Sequence, residues 1–497
     1  MQRRSGILMH ITSLDSDYGI GTLGNSAYKF VDFLNKADQR YWQLLPIGPT
    51  GYGDSPYSSF STFAGNPYFI DLDFLCEEGY LDKSDYENID WHCEEDKVNF
   101  GELYRLRYPV LRKAMQDFLK KASEDFYGFL RFNGYWLEDY ALFMALKDAN
   151  GGKCWLEWEE GLKNRHYDAI EAAKVQYADD IMFYKALQYH FFKQWRDLKE
   201  YANSNDVELI GDIPIYVALD SVDVWASKEL FQLDENNNPS VVAGCPPDGF
   251  SATGQLWGNP IYAWDYHANT NFEWWIKRIA HLMSVYDVLR IDHFRGFDSY
   301  WAIPYGDKDA TRGEWRKGPG IALFNELKAQ KGDLPIIAED LGFLTDSVKQ
   351  LLKDSGYPGM KVLEFAFDAR ETGSNDYLPH NYSENCVVYC GTHDNSTIKG
   401  WIKAADKADV DAAMNYMLIK QKKDFVWNML SMMWMSVANT AIAQAQDILE
   451  LDDKARMNIP STSSDNWMWR AKKGVFTDEL AEKVAKYTRR YGRSNKN

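Results

Sequence analysis

Four strand-like runs of the sequence end in a carboxylate, the residue type on which acid–base chemistry most often depends. Each run is short, apolar and followed by polar or turn-forming residues, as strands are. One such carboxylate is typical of a strand cap or an ion pair, because a buried charge is costly unless it is paired. Four that converge on one rim favour a catalytic cleft. They are Asp212 in ELIGDIPIY, Asp292 in LRIDHFRG, Glu339 in PIIAEDLG and Asp394 in YCGTHDN.

Glycosidic bond cleavage is the chemistry that needs several carboxylates and an aromatic-rich cleft. One carboxyl must be protonated to donate to the leaving oxygen, and a second must be ionised to attack the anomeric carbon or to activate water. Their surroundings must therefore separate their pKa values. Aromatic residues make up 15% of the chain, with 18 Trp and 31 Tyr. Large cores explain most of them, but such residues also suit sugars, which present flat apolar faces.

The sequence around each acid suggests which role it takes. Arg290 stands two residues before Asp292, so in a strand both side chains point to the same face. A guanidinium there keeps Asp292 ionised and oriented, which makes Asp292 the predicted nucleophile. Glu339 follows the apolar run LPIIA, and an apolar setting raises the pKa of a carboxyl group, so Glu339 is the predicted acid. His293 and His393 are expected as hydrogen-bonding supports or as donors to sugar hydroxyls, and we favour the second role for His393.

A metal site is the competing use of these side chains. His293 with Asp292, or His393 with Asp394, could supply ligands. Neither the H-E-x-x-H pattern nor an EF-hand loop is present in the sequence. The six cysteines are scattered without a C-x-x-C pair, which argues against a zinc ribbon or a redox motif. The sequence therefore predicts neither a metal nor a cofactor.

The order of the elements predicts a scaffold that gathers strand ends. Strand-like runs alternate with helical patterns, and this alternation over a long chain implies a parallel sheet. About eight such units favour an α/β fold, a (β/α)8 TIM barrel, in which chemistry lies at the carboxyl ends of the strands. One long helix is predicted over residues 422–446. The predicted strands span residues 5–11, 41–47, 207–217, 287–294, 334–340, 360–367, 386–394 and 447–453.

Two gaps between the predicted strands are too long for ordinary loops of a barrel. We therefore expect residues 1–497 to form a single catalytic barrel with two insertions. Residues 50–200 are predicted to form a largely helical, aromatic subdomain. Residues 218–270 are rich in Gly, Pro and Asn and are predicted to form a lid, since their aromatic residues argue against disorder.

Charge and hydropathy exclude several classes of partner. A net charge of −18 argues against nucleic acid or an anionic membrane as the main partner. No run approaches the length of a membrane-spanning helix, and the N-terminal segment is a poor signal peptide. We expect a cytoplasmic protein, with no obligate protein partner evident.

The motifs taken together resemble the 4-α-glucanotransferase family, also called amylomaltase or disproportionating enzyme, of the α-amylase clan. The resemblance covers nearly the whole chain. Its marks, in chain order, are SGILMHITSL, YGIGTLG, LPIGPTGYGDSPYSSFSTFAGNPYFID, GDIPIYVALDSVDVWA, PPDGFSATGQLWGNP, LRIDHFRGF, IIAEDLG, CGTHDN and RMNIP…DNWMWR.

The resemblance implies a retaining transglycosylase on a barrel with helical and loop insertions and without the C-terminal β-domain of amylases. The implied substrates are α-1,4-glucans, with glucose or a maltooligosaccharide as acceptor. The resemblance implies Asp292 as nucleophile, Glu339 as acid/base and Asp394 as the carboxylate that distorts the substrate. The other implied positions are Arg290 beside the nucleophile, Asp212, His393 and Asn466 at sugars, Tyr57 and Trp257 as aromatic platforms, and Ser55, Phe250 and Gln255 along the cleft.

Two other functions remain compatible with these residues. An α-glucan hydrolase would use the same machinery, and the appearance of new reducing ends would reveal it. A starch- or glycogen-binding protein without turnover is disfavoured, because inactive relatives would be expected to lose at least one of the three acids. Gly249 and Ala252 depart from the residues often found in the family's lid, which bears on how the lid holds an acceptor.

Overall fold

The computed structural model shows strands and helices alternating over residues 3–51, 53–247, 251–342, 344–368, 375–462 and 464–494, the residues that the structure describes. The strands are β1 (Arg4–Leu8), β2 (Tyr41–Gln43), β3 (Glu208–Ile213), β4 (Val241–Cys245), β5 (Gln255–Pro260), β6 (Val288–Ile291), β7 (Ser299–Pro304), β8 (Glu314–Lys317), β9 (Ile336–Ala338), β10 (Gly359–Val362), β11 (Cys386–Tyr389) and β12 (Thr440–Gln444).

Helices join most of these strands and also fill the long gaps between them. They are α1 (Asn25–Lys36), α2 (Leu72–Glu77), α3 (Phe100–Leu119), α4 (Glu124–Ala149), α5 (Glu160–Lys163), α6 (Tyr167–Gln176), α7 (Ala178–Ser204), α8 (Val222–Ala226), α9 (Trp264–Asn269), α10 (Glu273–Val285), α11 (Ile321–Lys331), α12 (Asp346–Ser355), α13 (Ile398–Ala404), α14 (Lys407–Tyr416), α15 (Phe425–Met435), α16 (Ala445–Ile448) and α17 (Asp478–Arg490).

Eight strands form one sheet in the order β10-β11-β12-β1-β2-β3-β6-β9, and the neighbours in this order run parallel. The two ends of the sheet meet where the Ala338 amide donates to the Pro358 carbonyl at 3.0 Å. The strand sequences are mostly apolar because both faces of the sheet are covered. Every residue of β9 and of β11 is buried. The predicted (β/α)8 barrel is confirmed, and its carboxyl-end rim is where function is expected.

The last barrel strand lies at Thr440–Gln444, so the strand predicted over 447–453 is wrong. Ala445–Ile448 is a short helix instead, and the helix predicted to run to residue 446 ends at Met435. The segment TAIAQ has little strand propensity of its own. It is a strand because β1 and β11 pair with its two edges, and this tertiary pairing overrides local preference.

The long segment between β2 and β3 holds α3, α4 and α7 and supports the loop that follows β2. The fully buried Gln188 of α7 makes one of the links. Its side chain accepts from the Gly65 amide at 2.8 Å and donates to the Gly65 carbonyl at 2.8 Å. Because the same loop carries Ser55 and Tyr57, the helices hold two predicted site residues in place.

A second, antiparallel sheet lies at the rim of the barrel, in the order β5-β4-β7-β8. Its strands β4 and β5 come from residues 218–270, and β7 and β8 follow β6. β5 carries Gln255 and Trp257, and the Trp257 ring meets the His293 ring edge-on at 4.8 Å. This sheet therefore forms one wall of the rim.

The chain ends in helical and loop structure that packs back on the barrel. After β12, residues 445–462 and 464–494 hold no strand longer than an isolated bridge. Arg489 of α17 pairs with the buried Asp38 at 2.6 Å, which fixes α17 beside the end of α1. Within the described ranges, no helix combines the length and apolar character that crossing a membrane would require.

Candidate active site

A buried ion pair joins two barrel strands at the base of the site. Asp212 of β3 and Arg290 of β6 are register partners. The Arg290 Nη1 donates to both carboxylate oxygens of Asp212, at 2.8 and 2.6 Å. The Arg290 side chain is 4% exposed and the Asp212 side chain is 0% exposed. This pair fixes the guanidinium, because neither charge can leave without stranding the other in the interior.

The second arm of the same guanidinium holds Asp292. Arg290 Nη2 lies 3.0 Å from Asp292 Oδ1. Burial raises the pKa of the Asp292 carboxyl to about 6, and the Arg290 charge is the main influence that lowers it. The charges of Asp212 and Asp394 also raise the pKa of Asp292. The predicted contact from Arg290 to Asp292 is present, and it favours the ionised carboxylate.

Glu339 directly follows β9, and the end of the neighbouring strand β6 supplies one of its partners. Its Oε2 accepts from the His293 amide at 2.7 Å, and its Oε1 accepts from the Leu341 amide at 2.7 Å. Burial, followed by the charge of Asp292, raises the pKa of Glu339 to about 8. Glu339 is therefore held in the protonated form at neutral pH while its neighbour Asp292 is mostly ionised, the separation that acid catalysis needs.

His293 is held in a backbone conformation that residues other than glycine rarely adopt. Its φ is 51° and its ψ is 48°, in the left-handed region. This conformation accompanies the bond from its amide to Glu339. Strained backbone of this kind persists only where the surroundings enforce it, and it clusters at functional sites. Burial lowers the pKa of the imidazole to about 3, so the ring is neutral.

Asp394 lies in the loop after β11 and is the most open of the four acids. Its side chain is 44% exposed. His393 Nε2 lies 3.4 Å from its Oδ2, and Asn458 Nδ2 donates to its Oδ1 at 2.6 Å. The remaining surface of the carboxylate is free to meet a ligand.

Three rings form a compact stack beside these acids. The Tyr57 ring lies nearly parallel to that of His393, with centroids 5.1 Å apart. Trp467 packs on both, at 5.8 and 5.9 Å. The Tyr57 hydroxyl donates to Asp212 Oδ2 at 2.8 Å. One face of the predicted platform Tyr57 is thus covered by His393, and the stack is tied to the buried ion pair.

The remaining predicted residues lie in loops and on β5. Trp257 donates its indole N–H to Gln255 Oε1 at 3.0 Å, so these two act as a unit. Ser55 Oγ accepts from the Tyr57 amide at 3.3 Å. The Asn466 amide is engaged within its own loop, where it accepts from Ile459 and donates to Thr462. Phe250, and Gly249 beside it, lie outside the described residues.

Three residues of the stretch RMNIP…DNWMWR contact the site and were not predicted. Asn458 holds Asp394, Arg456 donates to the Asp394 carbonyl at 2.5 Å, and Trp467 completes the ring stack. Trp467 is 6% exposed and has a φ of 66°. None follows a strand, so a search of strand ends misses them. The available signal was an aromatic residue, Trp467, within a polar loop.

No set of three or more His, Cys, Asp or Glu side chains suited to a metal occurs among the residues that the structure describes.

Comparison with known proteins identifies relatives along the whole chain. The family described as 4-alpha-glucanotransferase matches residues 9–476. A 4-alpha-glucanotransferase of Clostridium butyricum is 51% identical over 487 residues, which are 98% of this chain and 100% of that protein. One from Streptococcus pneumoniae is 47% identical over 499 residues, 100% of this chain and 98% of that protein. The solved structure of the amylomaltase from Streptococcus agalactiae in complex with acarbose superposes with a TM-score of 0.97 at 44% identity, covering 99% of this chain and 100% of that one.

Proposed function

Since the chain belongs to the 4-alpha-glucanotransferase family, whose members act on α-1,4-glucans, we propose that it transfers glucan segments by a retaining double displacement through a covalent intermediate. The observation that carries this proposal is a pair of acids in different settings, because Arg290 Nη2 lies 3.0 Å from Asp292 Oδ1, whereas burial and the charge of Asp292 raise the pKa of Glu339 to about 8. One is ionised and one protonated near neutrality, as a nucleophile and an acid must be.

In the first displacement, an Asp292 oxygen attacks the anomeric carbon of the donor. The bond from that carbon to the 4-oxygen of the next glucose breaks, and Glu339 gives its proton to the leaving oxygen. Arg290 keeps the attacking carboxylate ionised and oriented. A β-linked glucosyl ester with Asp292 results, and Glu339 is left ionised.

In the second displacement, Glu339 acts as a base. It takes the proton of the 4-hydroxyl of glucose or of another maltodextrin, and that oxygen attacks the anomeric carbon. The ester bond breaks and Asp292 is released as a carboxylate. Two inversions retain the α-configuration, and this route requires the two carboxyl groups about 5–5.5 Å apart.

Asp394 binds the 2- and 3-hydroxyls of the sugar that reacts and helps to flatten its ring. Its partly open carboxylate, fixed on one side by Asn458, supports this role. Contacts of this kind strengthen in the transition state and contribute several kcal/mol in other glycosidases.

The other predicted residues surround the reacting sugar. Tyr57 and Trp257 pack on sugar faces, and His393 donates to a hydroxyl. The Asp212 carboxylate has no exposed surface and is engaged by Arg290 and Tyr57, so it orients these two rather than touching sugar. The resemblance to the family implies that Ser55, Phe250, Gln255 and Asn466 lie along the same cleft.

One incubation tests this function. The purified protein is mixed with maltotriose without added metal, and products and total reducing ends are followed. Glucose with a ladder of longer maltodextrins at constant reducing ends supports transfer. Rising reducing ends without longer products would instead make the protein a hydrolase. Binding without turnover would leave only a glucan-binding role.

A further inference from the structure

We propose that Asn458 is a positioning residue for the reaction, because its side-chain amide holds the Asp394 carboxylate in the orientation in which it meets the sugar. The inference rests on the proposed function, since it assigns Asn458 a task that only matters if Asp394 acts on the substrate. Asn458 itself touches Asp394 and not the reacting atoms.

Asn458 donates two hydrogen bonds to the loop that carries Asp394. Its Nδ2 donates to Asp394 Oδ1 at 2.6 Å, and its backbone amide donates to the His393 carbonyl at 3.1 Å. The first bond fixes one carboxylate oxygen, which leaves Oδ2 near His393 Nε2 at 3.4 Å. Hydrogen bonds to an ionised acceptor are the stronger kind.

Arg456 holds the two partners together from behind. Its Nη2 donates to the Asp394 carbonyl at 2.5 Å, and its Nε donates to the Asn458 carbonyl at 2.8 Å. One planar guanidinium thus binds both backbones and sets their separation. Asn458 and Asp394 are 64 residues apart, so the contact exists only because the loop after α16 folds back over the loop after β11.

The fixed oxygen matters because Asp394 is half open. A carboxylate that is 44% exposed would otherwise rotate and exchange partners with water, and a small misplacement of a group that contacts the transition state can lower the rate about 100-fold. The titratable groups that face Asp394 are His393 beside it, and Asp292 and Tyr57, whose pKa values it raises. Arg456 is the charged group behind it.

The experiment compares Asn458→Ala, Asn458→Asp and the control Asn385→Asp with the wild type. The kcat and KM for maltotriose are measured across pH, and the Tm of each variant is recorded. Asn385 is exposed and directly precedes β11, whereas Asp394 lies in the loop after that strand. The Asn385 side chain donates to the Gly356 carbonyl. Its change introduces the same charge away from the site.

Loss of the amide should lower kcat more than it changes KM, because the contact acts in the transition state. For Asn458→Ala we expect kcat to fall about 10- to 100-fold, the range for losing a hydrogen bond to a charged group. The carboxyl introduced by Asn458→Asp donates to Asp394 only while protonated and repels it when ionised. The rate of this variant relative to wild type should therefore decline as the pH rises, whereas a general loop defect lowers the rate equally at every pH.

A kcat within about 2-fold of wild type for Asn458→Ala would overturn the inference. If that variant does not fold, Asn458→Asp decides alone, and a pH-independent ratio to wild type overturns it. The proposed function fails separately, when the wild-type protein or the Asn385→Asp control does not disproportionate maltotriose at all.

Discussion

Arg290 and Asp292, two residues apart at the end of β6, are joined by an ion pair of 3.0 Å from Nη2 to Oδ1. The other arm of the guanidinium is locked on Asp212, which has no exposed side-chain surface. The orientation of the proposed nucleophile is therefore set by a charge that is itself buried and paired on the next strand. This arrangement links the stability of the barrel rim to the chemistry on it.

Arg290→Lys should lower kcat and move the acidic limb of its pH profile to higher pH. An ammonium group cannot donate in a fork to Asp212 and Asp292 at once, so it lowers the pKa of Asp292 less. The measurement is the initial rate of maltotriose disproportionation against pH for both proteins. An unchanged acidic limb would show that Arg290 does not control the ionisation of Asp292.

The wild-type enzyme should show a bell-shaped pH dependence. Activity needs Asp292 ionised and Glu339 protonated, and their pKa values lie at about 6 and about 8. The rate should fall as the pH drops through the lower value, because Asp292 gains a proton, and as the pH rises through the upper value, because Glu339 loses one. Because the two groups interact, the apparent pKa value of each limb is a property of the pair and not of one residue. Profiles with only one limb would contradict the assignment.

Asp292→Asn should abolish transfer and hydrolysis together, since an amide cannot form the glucosyl ester.

Glu339→Gln should lower the rate on maltotriose about 10²- to 10⁴-fold, the usual contribution of a general acid. The same variant should react far better with α-glucosyl fluoride, because fluoride leaves without a proton. Equal losses on both donors would argue that Glu339 serves another role.

Tyr57→Phe and Tyr57→Ala separate the two tasks of this ring. Tyr57→Phe loses the 2.8 Å bond to Asp212 but keeps the stack on His393. We expect kcat/KM for maltotriose to fall less than about 10-fold in Tyr57→Phe, because Arg290 still satisfies Asp212. Tyr57→Ala should lose more, since it also frees His393. Equal effects would mean that the hydroxyl alone matters.

Gly65→Ala tests the contact that positions the loop of Ser55 and Tyr57. A Cβ at Gly65 would overlap the buried ring of Phe191 on α7. Overpacking of this kind lowers stability by about 1–3 kcal/mol. The matched control is Gly134→Ala inside α4, where a Cβ meets nothing within 4 Å and helix propensity should add about 1 kcal/mol. Thermal unfolding of both variants gives the comparison, and similar shifts for the two would contradict the packing argument.

The sequence alone could place residues that lie close together in the chain. The runs that precede Asp292 and Glu339 have the length and apolar character of buried strands, and each contains a barrel strand. The spacing of Arg290 and Asp292 predicted a shared face, and the ion pair is there. The roles of these acids in catalysis stay predictions, supported by their geometry.

Contacts between distant segments could not be placed in this way. The strand at Thr440–Gln444 exists because β1 and β11 flank it. Its alanine residues form no local pattern that predicts a strand. Asn458 reaches Asp394 across a loop with no strand pattern, and Trp467 meets Tyr57 from the far end of the chain.

The sequence by itself determined the fold class and the strand-end acids, because periodicity and spacing are local properties that a linear chain carries, and its motifs carried the resemblance to the family. Only the tertiary structure decided which segment forms the strand between β1 and β11, that burial raises the pKa of Asp292 as well as that of Glu339, and which amide holds Asp394. These depend on burial and on pairing between segments, and such energies arise only when the segments meet.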